Sequence, residues 1–163
     1  MDIDQVELCF SQSENTPIRG RELVEALRQR IKMAKRSVVI CSCEFTSSQD
    51  FILNEQIIKK LREGREVVVY GNNRAQMEEM KLSYGPLGMR VMSWIEPRDM
   101  SLFHIKAVMI DDQWIYIGSA NMSFNAMRNS AEWGLIGNSP DICKELLEYV
   151  RELEETGRFI EVE

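Results

Sequence analysis

The chain has 163 residues, with 44% hydrophobic and 28% charged side chains and a formal net charge of -6. Such a composition excludes a disordered, collagenous or disulfide-scaffold protein, and the length suits one domain over residues 1–163 with a core of its own. No apolar run reaches the roughly 18–20 residues of a membrane span, and MDIDQVELCF lacks the apolar core of a secretory signal. Those two readings predict a cytoplasmic protein without an integral membrane segment.

Val6–Phe10 reads as a short strand, followed by the polar turn SQSENTPIRG. Arg21–Ala34 carries apolar residues at Leu23, Val24, Leu27, Ile31 and Ala34, the spacing of a helix. Ser37–Cys43 is short and β-branched, so it reads as a buried strand. Phe51–Arg62 is an amphipathic helix closed by Gly64, and Glu66–Tyr70 is the next strand. Ala75–Leu82 reads as helix and Arg90–Trp94 as strand, with a loop from Glu96 to Leu102. Ile105–Ile110 and Trp114–Ile117 are strands around an Asp-Asp-Gln turn. Trp133–Gly137 is a late strand, Pro140–Glu154 a helix, and Phe159–Val162 a last short strand. Alternation of this kind predicts an α/β fold: a mixed, mostly parallel central sheet flanked by helices on both faces.

Charge is unevenly spread. Residues 139–163 hold eight acids against three bases, so most of the acidity is C-terminal. Arg19, Arg21, Arg28, Arg30, Lys32, Lys35 and Arg36 face only Glu22 and Glu25 in their stretch. That basic run is either a solvated helix face or one flank of a phosphate-binding surface. Cys9, Cys41, Cys43 and Cys143 lack the paired spacing of a zinc knuckle and read as reduced, buried, structural thiols.

The chemistry is concentrated in HIKAVMIDDQWIYIGSAN, from His104 to Asn121, which holds the chain's only histidine. On a strand, His104 and Lys106 would share one face, placing an imidazole beside an ammonium at the start of a buried segment. Lysine binds a phosphate oxygen, and a neutral imidazole can attack phosphorus or move a proton. After the next strand, Gly118 permits close backbone approach, and Ser119 and Asn121 supply donors for other oxygens.

The pattern His104-x-Lys106-x4-Asp111-x6-Gly118-Ser119-x-Asn121 resembles the signature of the phospholipase D superfamily. Ser123 and Glu132 stand where that family has a hydroxyl residue and a downstream glutamate; Ser130 replaces the family's usual asparagine. SVVICSCEFTS and KKLREGREVVVY resemble the family's first core strand and the helix-Gly-strand after it. The resemblance implies a metal-independent phosphodiesterase with no cofactor, working through a covalent phosphohistidine at a site built from two copies of the motif. One copy is present here, which implies a homodimer with a shared site. His104 would be nucleophile in one subunit and general acid in the other. Lys106, Ser119 and Asn121 would bind phosphate, Glu132 would hydrogen-bond His104, and Asp111 would fix the local turn within the catalytic set. Small single-motif members are mostly nonspecific endonucleases, so the expected substrate is DNA or RNA. The alternatives are a cardiolipin-type phospholipid phosphodiesterase, with Met100, Leu102 and Phe103 as its apolar rim, or a restrained binding or assembly subunit. A regulatory protein partner is a further expectation, because a cytoplasmic nuclease needs restraint.

Overall fold

A computed structural model describes residues 6–11, 21–47, 50–95 and 102–163. Among these, the strands are β1 (Val6–Phe10), β2 (Arg21–Glu22), β3 (Ser37–Ser42), β4 (Glu66–Gly71), β5 (Arg90–Trp94), β6 (Ala107–Ile110), β7 (Trp114–Gly118), β8 (Trp133–Asn138) and β9 (Phe159–Glu161). The helices are α1 (Leu23–Met33), α2 (Asn54–Arg62), α3 (Arg74–Tyr84), α4 (Phe124–Arg128) and α5 (Pro140–Glu155). No helix of the described residues is long and apolar enough to cross a membrane.

The strands form one sheet in the order β2-β1-β8-β7-β6-β3-β4-β5-β9. The expected mixed sheet with helices on both faces is present, but its parallel share is smaller than expected. Parallel pairing is confined to β3-β4, β4-β5 and the edge pair β1-β2. The β6-β7-β8 meander and the β1-β8, β3-β6 and β5-β9 pairs are antiparallel. Short turns join β6 to β7, and a short turn can only reverse a chain.

Strict alternation along β3 and β4 sorts the core. Val38, Ile40, Val67 and Val69 face one way and pack with Leu27, Ile31, Ile57 and Met77 of α1, α2 and α3. Val39, Cys41, Val68 and Tyr70 face the other way and pack with Cys143, Leu147 and Val150 of α5. The second layer covers only part of its face. The row Leu8-Leu135-Ile117-Ala107-Cys41-Tyr70-Met92 crosses the sheet in register. From Ala107 to Met92 the row is buried, whereas Leu8, Leu135 and Ile117 are exposed, as is Trp133 two residues before Leu135.

Several boundaries differ from the sequence reading for local reasons. Arg21 and Glu22 form β2 instead of opening α1, and the Glu22 carboxylate caps that helix by accepting from the Val24 and Glu25 N–H groups. α2 begins at Asn54, leaving Phe51, Ile52 and Leu53 as a buried lead-in. α3 is longer than expected because the Asn73 side chain caps it at Gln76 N–H. β6 begins at Ala107, so His104, Ile105 and Lys106 precede the strand. Most of the SQSENTPIRG turn and of the Glu96–Leu102 loop lies outside the described residues, as do Arg19 and Met100.

Candidate active site

His104, Lys106, Ser119, Asn121 and Glu132 lie where β3 and β7 end and β6 and β8 begin. Lys106 Nζ lies 3.3 Å from both ring nitrogens of His104, and the imidazole is exposed. The expected pairing of imidazole and ammonium is therefore present, although the two residues stand outside the strand. Gly118 N–H donates to the Lys106 carbonyl at 3.3 Å, tying this stretch to the end of β7. The same ammonium is 3.4 Å from Cys43 Sγ.

Beyond β7 the chain turns sharply. Ser119 N–H donates to the Trp133 carbonyl at 3.0 Å, and Ser119 Oγ accepts from Trp133 N–H at 3.1 Å. The Ser119 hydroxyl donates to the Glu132 carboxylate. Glu132 is held in turn from just after β1, where Ser11 Oγ accepts from Glu132 N–H at 2.8 Å and donates to the Ser130 carbonyl at 2.6 Å. Among the described residues, Glu132 thus pairs with Ser119 in place of the expected bond to His104, whose one hydrogen-bond neighbour is Lys106.

Asn121 sits over Ser42, with its Oδ1 3.5 Å from Ser42 Oγ. That hydroxyl, fully buried at the end of β3, donates to the Glu44 carbonyl and accepts from Met122 N–H at 2.9 Å. It fastens the Asn121 segment to β3, and Phe45 pairs with Met122 alongside. Ser123 caps α4 through Ala126 N–H and is buried, so its position is structural.

Asp111 does not join this group. It lies in the β6-β7 turn, at the opposite end of β6, with φ of +56°. Its carboxylate accepts from the N–H groups of Lys35, Arg36 and Ser37 at 2.7–3.1 Å. As expected it fixes the local turn, here to the α1-β3 connection, but its place in the catalytic set is corrected to a structural one. Partial burial raises its pKa, but the three backbone donors and the Arg36 charge outweigh that and hold it below the ordinary value. A lowered folded-state pKa adds stability above the unfolded value, and that stability is lost as pH falls through the folded value. Asp111→Asn, which tolerates the same turn, is expected to cost about 1 kcal/mol at pH 7. The deficit should narrow between pH 7 and about pH 3, as the pH falls below the unfolded value and toward the lowered folded-state value. Urea midpoints at the two pH values check both statements.

The thiols divide in a way the sequence concealed. Burial pushes the Cys9 thiol up to about 12 and the Cys143 thiol up to about 11, and raises Cys41 further. Those three are inert core groups. Cys43 is half-buried beside Lys106, so the expectation of a structural thiol is corrected there. The basic run also resolves. Arg21 pairs with Glu7, Arg28 donates to the Ile52 carbonyl, Arg30 lies over the Trp114 ring, and Arg36 pairs with Asp112. Arg36 lies next to Asp111, at the end of the sheet away from the imidazole.

A family model for the cardiolipin synthase, PLD-like domain matches residues 27–153. The chain belongs to the phospholipase D-like family. Superfamily members act on phosphodiester bonds. The fold of this phospholipase D-like chain is shared with NucT from Helicobacter pylori, at a TM-score of 0.71 and 20% identity, covering 85% of this chain and 90% of that one. It is shared with Nuc from Salmonella typhimurium, a phospholipase D family member, at a TM-score of 0.70 and 16% identity, covering 96% and 97%. Phosphatidylserine synthase from Haemophilus influenzae matches at 0.69 and 19% identity, with 96% of this chain covered against 40% of that one. Among curated proteins, DISARM protein DrmC from Bacillus paralicheniformis is 22% identical over 135 residues. The phospholipase D-like chain spans about half, 56%, of that relative's length.

Proposed function

We propose that this phospholipase D-like protein is a metal-independent phosphodiesterase that cuts DNA or RNA, at a site shared by two copies of the chain. The observation that carries the proposal is the contact of the exposed His104 with Lys106, on a stretch that Gly118 N–H ties to the end of β7 just before Ser119 and Asn121, the proposed mouth of the site.

The chemistry follows from these groups. An entering phosphate takes the Lys106 ammonium as a partner, which frees a ring nitrogen of His104 to attack phosphorus. Lys106, Asn121 and Ser119 offset the charge that develops on the phosphoryl oxygens. A P–N bond forms, the P–O bond to the leaving alcohol breaks, and the partner's His104 donates a proton to that oxygen. Water then attacks phosphorus and loses its proton to the same second imidazole, and the P–N bond breaks. Glu132 acts here by aligning Ser119. The sequence holds one histidine, and the proposal assigns the second imidazole to a second copy.

The exposed face of Leu8, Ile117, Trp133 and Leu135 suits that second copy. It runs up to the mouth, because Ile117 leads into Gly118–Ser119 and Trp133 follows Glu132. An isologous contact over this face would bring two equivalent mouths together.

A lipid substrate has less support. Of the expected apolar rim, Leu102 is exposed, but Phe103 is buried against Trp94 and Phe159. The deciding assay incubates the protein in excess EDTA with single- and double-stranded DNA, RNA and cardiolipin vesicles. Cleavage of nucleic acid alone is expected. Turnover of lipid alone, or turnover that EDTA abolishes, would overturn the proposal.

A further inference from the structure

His104 is carried by an irregular stretch. Residues 102–106 belong to no strand, and the ladder of β6 begins only at Ala107. A reacting imidazole must be held to within a fraction of an ångström, and a free strand end frays. Something outside the ladder has to hold it.

The holding group is Asn72, at the end of β4. Its Oδ1 accepts from Phe103 N–H at 3.1 Å, and its Nδ2 donates to the Phe103 carbonyl. A carboxamide carries the same donor and acceptor as a peptide unit. Asn72 therefore imitates one residue of a neighbouring strand, exchanging two hydrogen bonds with the residue just before His104. The Phe103 ring is fixed as well, stacked on Trp94 at 6.0 Å and edge-on to Phe159 at 4.9 Å between ring centres. Behind Asn72, the chain is pinned at Gly71, where a Cβ would come within 2.7 Å of Met77 Sδ. Asn72 thus stands on a packed strand and grips the chain on the imidazole's N-terminal side, while Gly118 grips it at Lys106.

We infer that Asn72 is a positioning residue for His104, acting through the Phe103 backbone. The inference rests on the proposed role of His104 but has a readout independent of it. His104 is the chain's only histidine, so the protein gives a single set of imidazole NMR signals, and its Hε1 signal reports the ring's setting directly. Asn72→Leu removes both hydrogen bonds. Asn72→Asp is isosteric and opposes the Phe103 carbonyl with an oxygen, which guards against a fold lost to bulk.

Both variants are expected to move or broaden the imidazole signal. Both should lower kcat about 10- to 100-fold, with KM within about twofold of wild type, as a misplaced but chemically intact group does. A merely structural asparagine would lower thermal stability and leave the signal in place. Tyr84→Phe, which deletes a 2.9 Å hydrogen bond to Asn54 elsewhere, is the control for that case. An imidazole signal unmoved in both folded variants overturns the inference, whatever happens to turnover. Absence of turnover in wild type would instead count against the proposed function, and the NMR signal would still decide on Asn72.

Discussion

His104→Asn is expected to lower turnover by at least about 10⁴-fold while leaving substrate affinity within a few-fold of wild type. The size follows from the number of tasks removed. The imidazole serves as nucleophile in one copy and as acid, then base, in the other. General acid–base work alone is worth roughly 10²–10⁴-fold, and without a nucleophile no covalent route remains. Affinity survives because Lys106, Ser119 and Asn121 are untouched, and asparagine occupies similar space without a nitrogen able to attack. Stability should change little, since the His104 side chain is exposed and meets only Lys106 among the described residues. Single-turnover rates and binding by fluorescence anisotropy measure the two quantities. A loss of affinity equal to the loss of rate would mean that the imidazole binds substrate without reacting.

Gly134→Ala is expected to destabilise the fold by about 3 kcal/mol, or roughly 6–12 °C in Tm, and to impair the site from a distance. Gly134 and Gly118 face each other across β7 and β8, and the Tyr116 ring runs beneath them. A Cβ at Gly134 would fall 2.4 Å from Tyr116 Cε2 and 2.7 Å from the Ile117 carbonyl. The second clash is with backbone, which cannot swing aside as a side chain can. Neither glycine is among those with positive φ, so the requirement is for space alone. Tyr116 is fully buried and accepts from Ala120 N–H at 3.2 Å, so displacing it disturbs the turn that presents Ser119 and Asn121. Calorimetry gives the stability change. A Tm within 2 °C of wild type, as a shift of less than about 1 kcal/mol would give, would show that β7 and β8 have room to spare.

Much of this was legible in the chain itself. The short β-branched runs of β3 and β4 and the helical stripe of α1 are plain in the sequence, and these elements lie where the pattern puts them. The spacing from His104 to Glu132 marks a site because each position needs one particular side chain. Elements too short to show a period were not legible: β2 has two residues and α4 five, and tertiary packing stabilises both. The balance of the sheet was misjudged because strand–helix alternation suggests crossovers, while the Asp-Asp-Gln turn already argued for an antiparallel hairpin. Cys43 was hidden because a thiol after an apolar run reads as core. The bond of Glu132 to Ser119 was not legible, because the spacing brings Glu132 near the site without saying which group it meets. Asn72 carries no signal of its own, for its partner lies 31 residues away and is joined to it only by the fold.

The central claim, that one site is built from two copies of His104, is tested most directly with a mixed dimer. Wild-type and His104→Asn chains carrying different affinity tags are co-expressed, and the dimer bearing both tags is purified and assayed in EDTA. The shared site then holds one imidazole where it needs two. Activity at least about 100-fold below the wild-type dimer is expected, because a nucleophile or its acid partner is missing in either orientation. A mixed dimer with roughly half the wild-type activity would mean that each chain works alone, and would contradict the shared site.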